Sequence, residues 1–158
     1  MSAAAEDERV MRECLREAAA AEQAGEVPVG AVVVLDGQII GRGRNASIGT
    51  HDPTAHAEIV ALRAAGAAVH NYRLGDAELF VSVEPCVMCV GAILQARLRR
   101  VVFGCPDPKG GALGGLLDLA QQPGFNHRFA IRGGVCASEA RAILQRFFRQ
   151  RRAAGGRS

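Results

Sequence analysis

The chain has 158 residues, 49% apolar and 22% charged, with a formal net charge of +3. That is ordinary for one soluble globular domain and excludes disordered, fibrous and membrane-spanning classes. Charge is uneven along the chain. Glu6, Asp7, Glu8, Glu13, Glu17, Glu22 and Glu26 crowd the start, and after Glu139 the only charged residues are arginines, from Arg141 to Arg157. Val10, Met11, Cys14, Leu15, Ala18 and Ala19 recur at helical spacing and predict an amphipathic helix over Glu6–Ala24. "VPVGAVVVL" and "QIIGRGRN" read as two strands, and Asp36-Gly37 between them is a hairpin turn signal. A helix is expected from near Asp52. A strand follows over Glu78–Val83, a helix from Pro85 to about Ala96, and a short strand over Arg100–Gly104. A Gly/Pro-rich loop runs from Cys105 to Gly115. "LLDLA" suggests a short helix, "RFAIRG" a fifth strand, and Ser138 to Arg152 a last helix.

Strands alternating with helices after an initial hairpin predict a three-layer α/β/α domain with a five-stranded mixed sheet. The chain reads as a single domain over residues 1–152, with residues 153–158 as a disordered tail. The acidic start carries no apolar signal segment, and the apolar run near Ala31–Leu35 is too short to span a bilayer. A cytoplasmic protein with no membrane partner is expected. In that compartment a close cysteine pair points to metal binding or catalysis rather than to a structural disulfide.

Two stretches carry the chemistry. In "DPTAHAEIVAL" His56 and Glu58 stand two apart, and in "VEPCVMC" Cys86 and Cys89 stand three apart. Asp52-Pro53 and Glu84-Pro85 each resemble an N-cap followed by proline at the first helical position. Cys86 and Cys89 would then share one helical edge at the positive end of a helix, which favours the thiolates that bind metal. One histidine and two thiolates suit tetrahedral zinc, and three protein ligands leave a fourth position open, as catalytic sites do. Glu58 points about 200° away from His56 on a helix, so both serve one site only if it lies at the helix's N-terminal end. A carboxylate there can pass a proton from a water to a substrate. The halves alone have other readings. The C-x-x-C could be a redox pair, or half of a structural zinc site completed by His51, His70 or His127. The combination of H-A-E with P-C-x-x-C favours catalytic zinc, one ion per subunit.

With these motifs the sequence resembles the zinc-dependent nucleobase deaminases of the cytidine deaminase-like superfamily, and most closely the bacterial tRNA-specific adenosine deaminases. The resemblance runs from about Arg12 to Arg152, through "EVPVGAV", "GRNASIGTHDPTAHAEI", "NYRL", "VEPCVMCVGAI", "RVVFGCPDPKGGALGG", "PGFNHR" and "FFRQRR". It departs at Ser47, where some relatives have proline, and at Gly110-Gly111, where a polar-Gly pair is common. It implies a homodimer that turns the wobble adenosine of a tRNA anticodon stem-loop into inosine. His56, Cys86 and Cys89 would hold zinc and Glu58 would shuttle protons. Asn45 would bond the flipped base, with Val27 and Val83 lining its pocket. Asp107, Lys109, Asn126 and His127 would follow the anticodon loop. Phe147, Phe148, Arg149, Arg151 and Arg152 would hold that loop from the last helix.

Read without the resemblance, Asn45 is equally a turn residue, and the terminal arginines are a solvated face. Phe147 and Phe148 are core or dimer contacts, and being adjacent they point about 100° apart, so one can do each job. The H-A-E motif is shared with free-base cytosine and guanine deaminases, so a free-base or nucleotide deaminase remains the alternative activity. A structural zinc RNA-binding module would need four protein ligands.

Overall fold

The computed structural model describes residues 2–155. Helix α1 (Ala3–Gln23) precedes a hairpin of β1 (Gly30–Leu35) and β2 (Gln38–Arg44). The short helix α2 (Ser47–Thr50), α3 (Ala57–Val69), β3 (Glu78–Val83), α4 (Val87–Ala96) and β4 (Arg100–Cys105) follow. A single 3₁₀ turn (Leu119–Gln121), β5 (Ala130–Arg132) and α5 (Ala137–Ala153) complete the chain. The strands form one five-stranded mixed sheet in the order β2-β1-β3-β4-β5. β1 runs antiparallel to β2 and β3, while β3, β4 and β5 run parallel.

The three layers follow from the two-residue period of the strands. Ala31 and Val33 of β1, Leu79 and Val81 of β3, and Val101 and Phe103 of β4 face one core with α3 and α4. Val32, Val34, Phe80 and Val102 face the other with Val10, Met11 and Cys14 of α1. Both faces are covered, which is why these strands read as continuous apolar runs. α5 packs on the α1 side, against β4 and α1. In β2, Gly41 and Gly43 let α3 approach closely, since a side chain there would meet the helix backbone at Ala61 and Ala57.

The hairpin turns where expected: Asp36 and Gly37 both have positive φ, at 51° and 77°, as a two-residue turn of this type requires. Other boundaries differ. α1 begins at Ala3, because Ser2 Oγ accepts the Ala5 N–H and caps the helix. Asp52-Pro53 does not start α3. Asp52 Oδ1 instead accepts the N–H and hydroxyl of Thr54, closing an Asx turn. The helix starts four residues later, with His56 as its N-cap. Likewise Pro85 precedes α4, whose N-cap is Cys86. Helix α2 has no counterpart in the sequence reading. Of the "LLDLA" helix only the 3₁₀ turn forms, started by Asp118 Oδ1 accepting the Ala120 N–H. α5 includes Ala153; of the expected tail, residues 156–158 lie outside the described residues.

Many of the acids and arginines that stand far apart in sequence meet in the fold. Asp7, 4% exposed, accepts from Arg100 (3.0 and 2.6 Å) and Arg132 (2.6 Å), and Arg100 also reaches Glu78 at 2.9 Å. Burial pushes the Asp7 carboxyl up, but the bonds from Arg100 and Arg132 more than offset it and hold it below its ordinary value. A depressed carboxylate contributes stability that is present above the unfolded value, about 3.9, and is lost as pH falls through the folded one. Asp7→Asn is therefore expected to cost about 2–3 kcal/mol near neutral pH. The cost should shrink as pH falls below about 4, where Asp7 of the unfolded parent protonates, and be lost as pH passes the lower, folded value. Urea unfolding at pH 7 and pH 3 checks this, and an equal difference at both would disprove the ion-pair account.

Candidate active site

Two helix starts meet at one end of the sheet. His56, as N-cap of α3, and Cys86, as N-cap of α4, sit where backbone N–H groups are unpaired and the helix dipoles are positive. Cys89 lies in the first turn of α4, one turn beyond Cys86. His56 Nδ1 is 3.6 Å from the Sγ atoms of both Cys86 and Cys89. All three ligand atoms lie within 4.8 Å of one another. Among the described residues no fourth histidine, cysteine or carboxylate joins them. His51 and His70 are exposed C-caps of α2 and α3, and His127 Nε2 is bonded to the Leu98 carbonyl at 2.6 Å. This disfavours a four-ligand structural centre.

The group fits a tetrahedral metal. Zn–S and Zn–N bonds of about 2.3 and 2.05 Å at a tetrahedral angle put N and S roughly 3.6 Å apart, the separation observed for both pairs. The thiols are already prepared for it. The bond from Cys89 to Cys86, with His56 beside it, pulls the Cys86 thiol down to about 3. Cys89, which holds the shared proton against that thiolate, is pushed up. The two sulfurs thus titrate as a pair, and a cation between them would displace the remaining proton. The Cys86 bond raises His56 above its ordinary value despite partial burial.

Glu58 sits in the first turn of α3, 4% exposed. Burial is the main cause that lifts its carboxyl to about 7, and His56 opposes the lift. A proton carrier with a value near neutral pH is the usual requirement for acid–base work. Glu58, His56 and Cys86 line a cleft of about 120 Å³, whose other walls are Val29, Asn45, Val83, Glu84 and Asp107; Cys89 lies buried behind Cys86.

Asn45 directly follows β2, and its Oδ1 accepts the Ala57 N–H at 2.8 Å, tying the cleft wall to the start of α3. This leaves its Nδ2 as the donor side. Val83 and Val29 line the cleft, and Val27 is not among its walls. A bond from Val29 N–H to the Val27 carbonyl turns the chain between them. Asp107 is in the cleft wall and Lys109 is exposed on the following turn. Asn126 and His127 instead line a separate cavity of about 470 Å³ with Val87, Leu94 and Phe125. On α5, Phe147 is 5% exposed and Phe148 37%, so one points in and the other out. Arg149 and Arg152 are exposed, whereas Arg151 lies half-buried over the Phe147 ring at 5.3 Å.

Val29 and Glu84 join the cleft wall without a sequence motif that marks them for it. Glu84 caps no helix; it is buried, and its carboxylate accepts from Asp107, Leu113 and Gly115. No local pattern could reveal partners so far along the chain.

Residues 5–152 match the family model of the MafB19-like deaminases. A tRNA-specific adenosine deaminase of Haemophilus influenzae is 48% identical over 92% of this chain and 85% of its own length. One from Bacillus subtilis is 44% identical over 93% and 91%. Among solved structures, one from studies of A-to-I editing by tRNA:A34 deaminases at the wobble position of transfer RNA has a TM-score of 0.80. It is 43% identical, covering 85% of this chain and 97% of that one. A guanine deaminase from Nitrosomonas europaea has a TM-score of 0.77 at 27% identity, covering 89% and 83%. Identity at the first of these levels, carried across almost the whole chain and met by the same fold, makes this chain a member of the tRNA-specific adenosine deaminase family.

Proposed function

We propose that this protein hydrolyses the amino group of adenosine at the wobble position of a tRNA anticodon, giving inosine and ammonia, with one zinc ion per subunit. The observation that carries the reaction is Glu58, a buried carboxylate at the same helix start as a histidine flanked by two thiols. Family membership carries the choice of substrate. His56, Cys86 and Cys89 hold the ion, which when bound supplies Lewis-acid activation of a water at neutral pH.

Glu58 accepts one proton from the attacking water and delivers it to the ring nitrogen of the base. It then takes the remaining proton of the added hydroxyl and passes it to the amino group, which leaves as ammonia as the C–N bond breaks and the carbonyl forms. Asn45, fixed through Oδ1, presents Nδ2 to an acceptor on the base. Val29 and Val83 pack its faces. The cleft of about 120 Å³ is smaller than the roughly 300–1,000 Å³ pockets that enclose drug-sized ligands. It suits one flipped base with the rest of the nucleotide outside, and an anticodon loop already presents splayed bases. The same small cleft and the shared fold of the guanine deaminase favour a free base as the second reading. Inosine formation in an anticodon stem-loop, run beside ammonia release from free adenosine, cytosine and guanine, separates the two. Turnover of a free base and none of the stem-loop would overturn the first reading.

The exposed loop beyond the cleft carries Lys109, and α5 presents Phe148, Arg149 and Arg152. These residues, with Arg151, are proposed to contact the RNA. Arg149 and Arg152 are the cleaner probes, because Arg151 also packs on Phe147. Replacing both with Ala is expected to flatten the log–log salt dependence of stem-loop binding by about 1.4, or about 0.7 for each phosphate no longer neutralised. The weakening should fall on all RNA sequences alike and mostly at low salt. An unchanged slope removes this helix from the RNA site.

A homodimer is proposed as well. The exposed Val87, Leu116, Leu117 and Phe125, and an apolar groove between α3 and α4 lined by Ile59, Leu62, Leu74 and Ala92, are suited to burial against a second copy. No helix among the described residues is long and apolar enough to cross a membrane, and a cytoplasmic site of action suits a tRNA substrate.

A further inference from the structure

The buried carboxylate of Glu84 has no part in the chemistry described above, yet it lies in the cleft wall two residues before the metal-ligand candidate Cys86. Its Oε1 accepts the Asp107 N–H at 2.9 Å, and its Oε2 accepts those of Leu113 (2.9 Å) and Gly115 (2.8 Å). A carboxylate offers about four acceptor positions, so three are committed to one loop. That loop is built to receive it. A Cβ on Gly111 would collide with the Glu84 carboxylate, and one on Gly115 would stand 2.6 Å from Oε1. The loop is also stitched to the same segment through the Ala112 N–H on the Pro85 carbonyl at 2.8 Å.

One consequence is local to the cleft. Asp107 is the loop's only residue in the cleft wall. Its Oδ1 accepts the N–H groups of Lys109 and Gly110, which fixes the side chain relative to its own backbone. The backbone is fixed by Glu84. Position thus passes from the β3–α4 connection that carries Cys86, through Glu84, to Asp107. Three of the roughly four acceptor positions of Glu84 are given to holding the loop.

We propose that Glu84 is the positioning residue that registers Asp107 against the reacting base, and so sets substrate affinity through the loop from Cys105 to Gly115. The proposal takes its substrate from the proposed function; the loop-holding role itself does not depend on it. A misplacement of about 1 Å in a positioning contact costs on the order of 10²-fold in rate. Glu84→Gln, which replaces one acceptor oxygen with a donor facing N–H groups, is expected to lower kcat/KM by roughly 10- to 100-fold. The effect should fall mainly in KM, with zinc content retained.

The test is a double-mutant cycle on the zinc-loaded full chain with Asp107→Ala, read by inosine formation in the stem-loop. If Glu84 acts through Asp107, adding Glu84→Gln to Asp107→Ala costs little more. Equal factors in both backgrounds overturn the proposal and leave Glu84 a stabilising residue. Should Glu84→Gln not fold, Gly115→Ala pushes the same loop from the other side and must show the same non-additivity. If the parent turns over a free base and not the stem-loop, the proposed function falls, and the cycle on that base still decides the role of Glu84. Amide exchange gives a readout free of substrate: faster exchange confined to the loop, at Leu113 and Gly115, is expected in Glu84→Gln, and unchanged exchange there also overturns the proposal.

Discussion

Glu58→Gln is expected to keep the fold and the metal and to lose turnover by roughly 10²–10⁴-fold or more, the scale of a general acid–base group. The substitution keeps shape and hydrogen-bonding reach while removing the ability to take a proton. Its site supports a clean reading, since Glu58 is 4% exposed and sits in the first turn of α3, beside but outside the ligand group. Stability should move the other way. In the metal-free protein the carboxyl is raised to about 7, chiefly by burial. A raised carboxyl binds more protons folded than unfolded, so it lowers stability as pH rises from about 4 to about 7. Metal-free Glu58→Gln should therefore match the parent near pH 4 and exceed it by up to a few kcal/mol at pH 8. Inosine assays with metal analysis check the first effect, and urea unfolding at the two pH values checks the second. A near-normal rate with zinc bound would mean that another acid moves the proton.

What could be read from sequence was what depends on neighbours in sequence. Asp36-Gly37 announced its turn because both residues tolerate positive φ. The H-A-E and P-C-x-x-C motifs announced a shared site because the geometry of a helix start demands it, and the fold brings their ligand atoms within 4.8 Å. Phe147 and Phe148 were legible as a divided pair, though not which one points inward, because that depends on where α5 lies against the sheet. Helix starts were misjudged at Asp52 and Glu84 for one physical reason. A carboxylate before proline can cap a helix, close an Asx turn or hold a distant loop, and the local sequence is the same in each case. Asp52 took the second option and Glu84 the third. The acidic start and basic end misled in the same way. Asp7 pairs with Arg132, and Glu22 with Arg146, across more than a hundred residues of chain. Part of the charge segregation is thus spent inside the molecule, and only the arginines beyond it, such as Arg149 and Arg152, remain as exposed candidates for RNA.

Removing either thiolate should have the largest effect of all. The protein is expected to bind about one zinc per chain, as a site with three protein ligands and an open fourth position requires. Cys86→Ser and Cys89→Ser each leave two protein ligands, and a serine hydroxyl is a poor replacement for a thiolate toward zinc. Metal and activity should disappear together in both. The two variants should differ in how they unfold. Cys86 is a half-buried N-cap, a position where serine is itself favoured. Cys89 is fully buried in the first turn of α4, against the core that Val90 and Ile93 join. Cys89→Ser should therefore cost more stability than Cys86→Ser in the metal-free state, while both forgo the added stability that bound metal gives the parent. Cys14→Ala, Cys105→Ala and Cys136→Ala are the controls, since none of these thiols belongs to the ligand group and burial pushes each of them up, away from the reactive thiolate form. These three should keep full zinc and turnover. Zinc content by elemental analysis, read beside inosine formation, decides the matter: full zinc in Cys86→Ser or in Cys89→Ser would remove that cysteine from the centre.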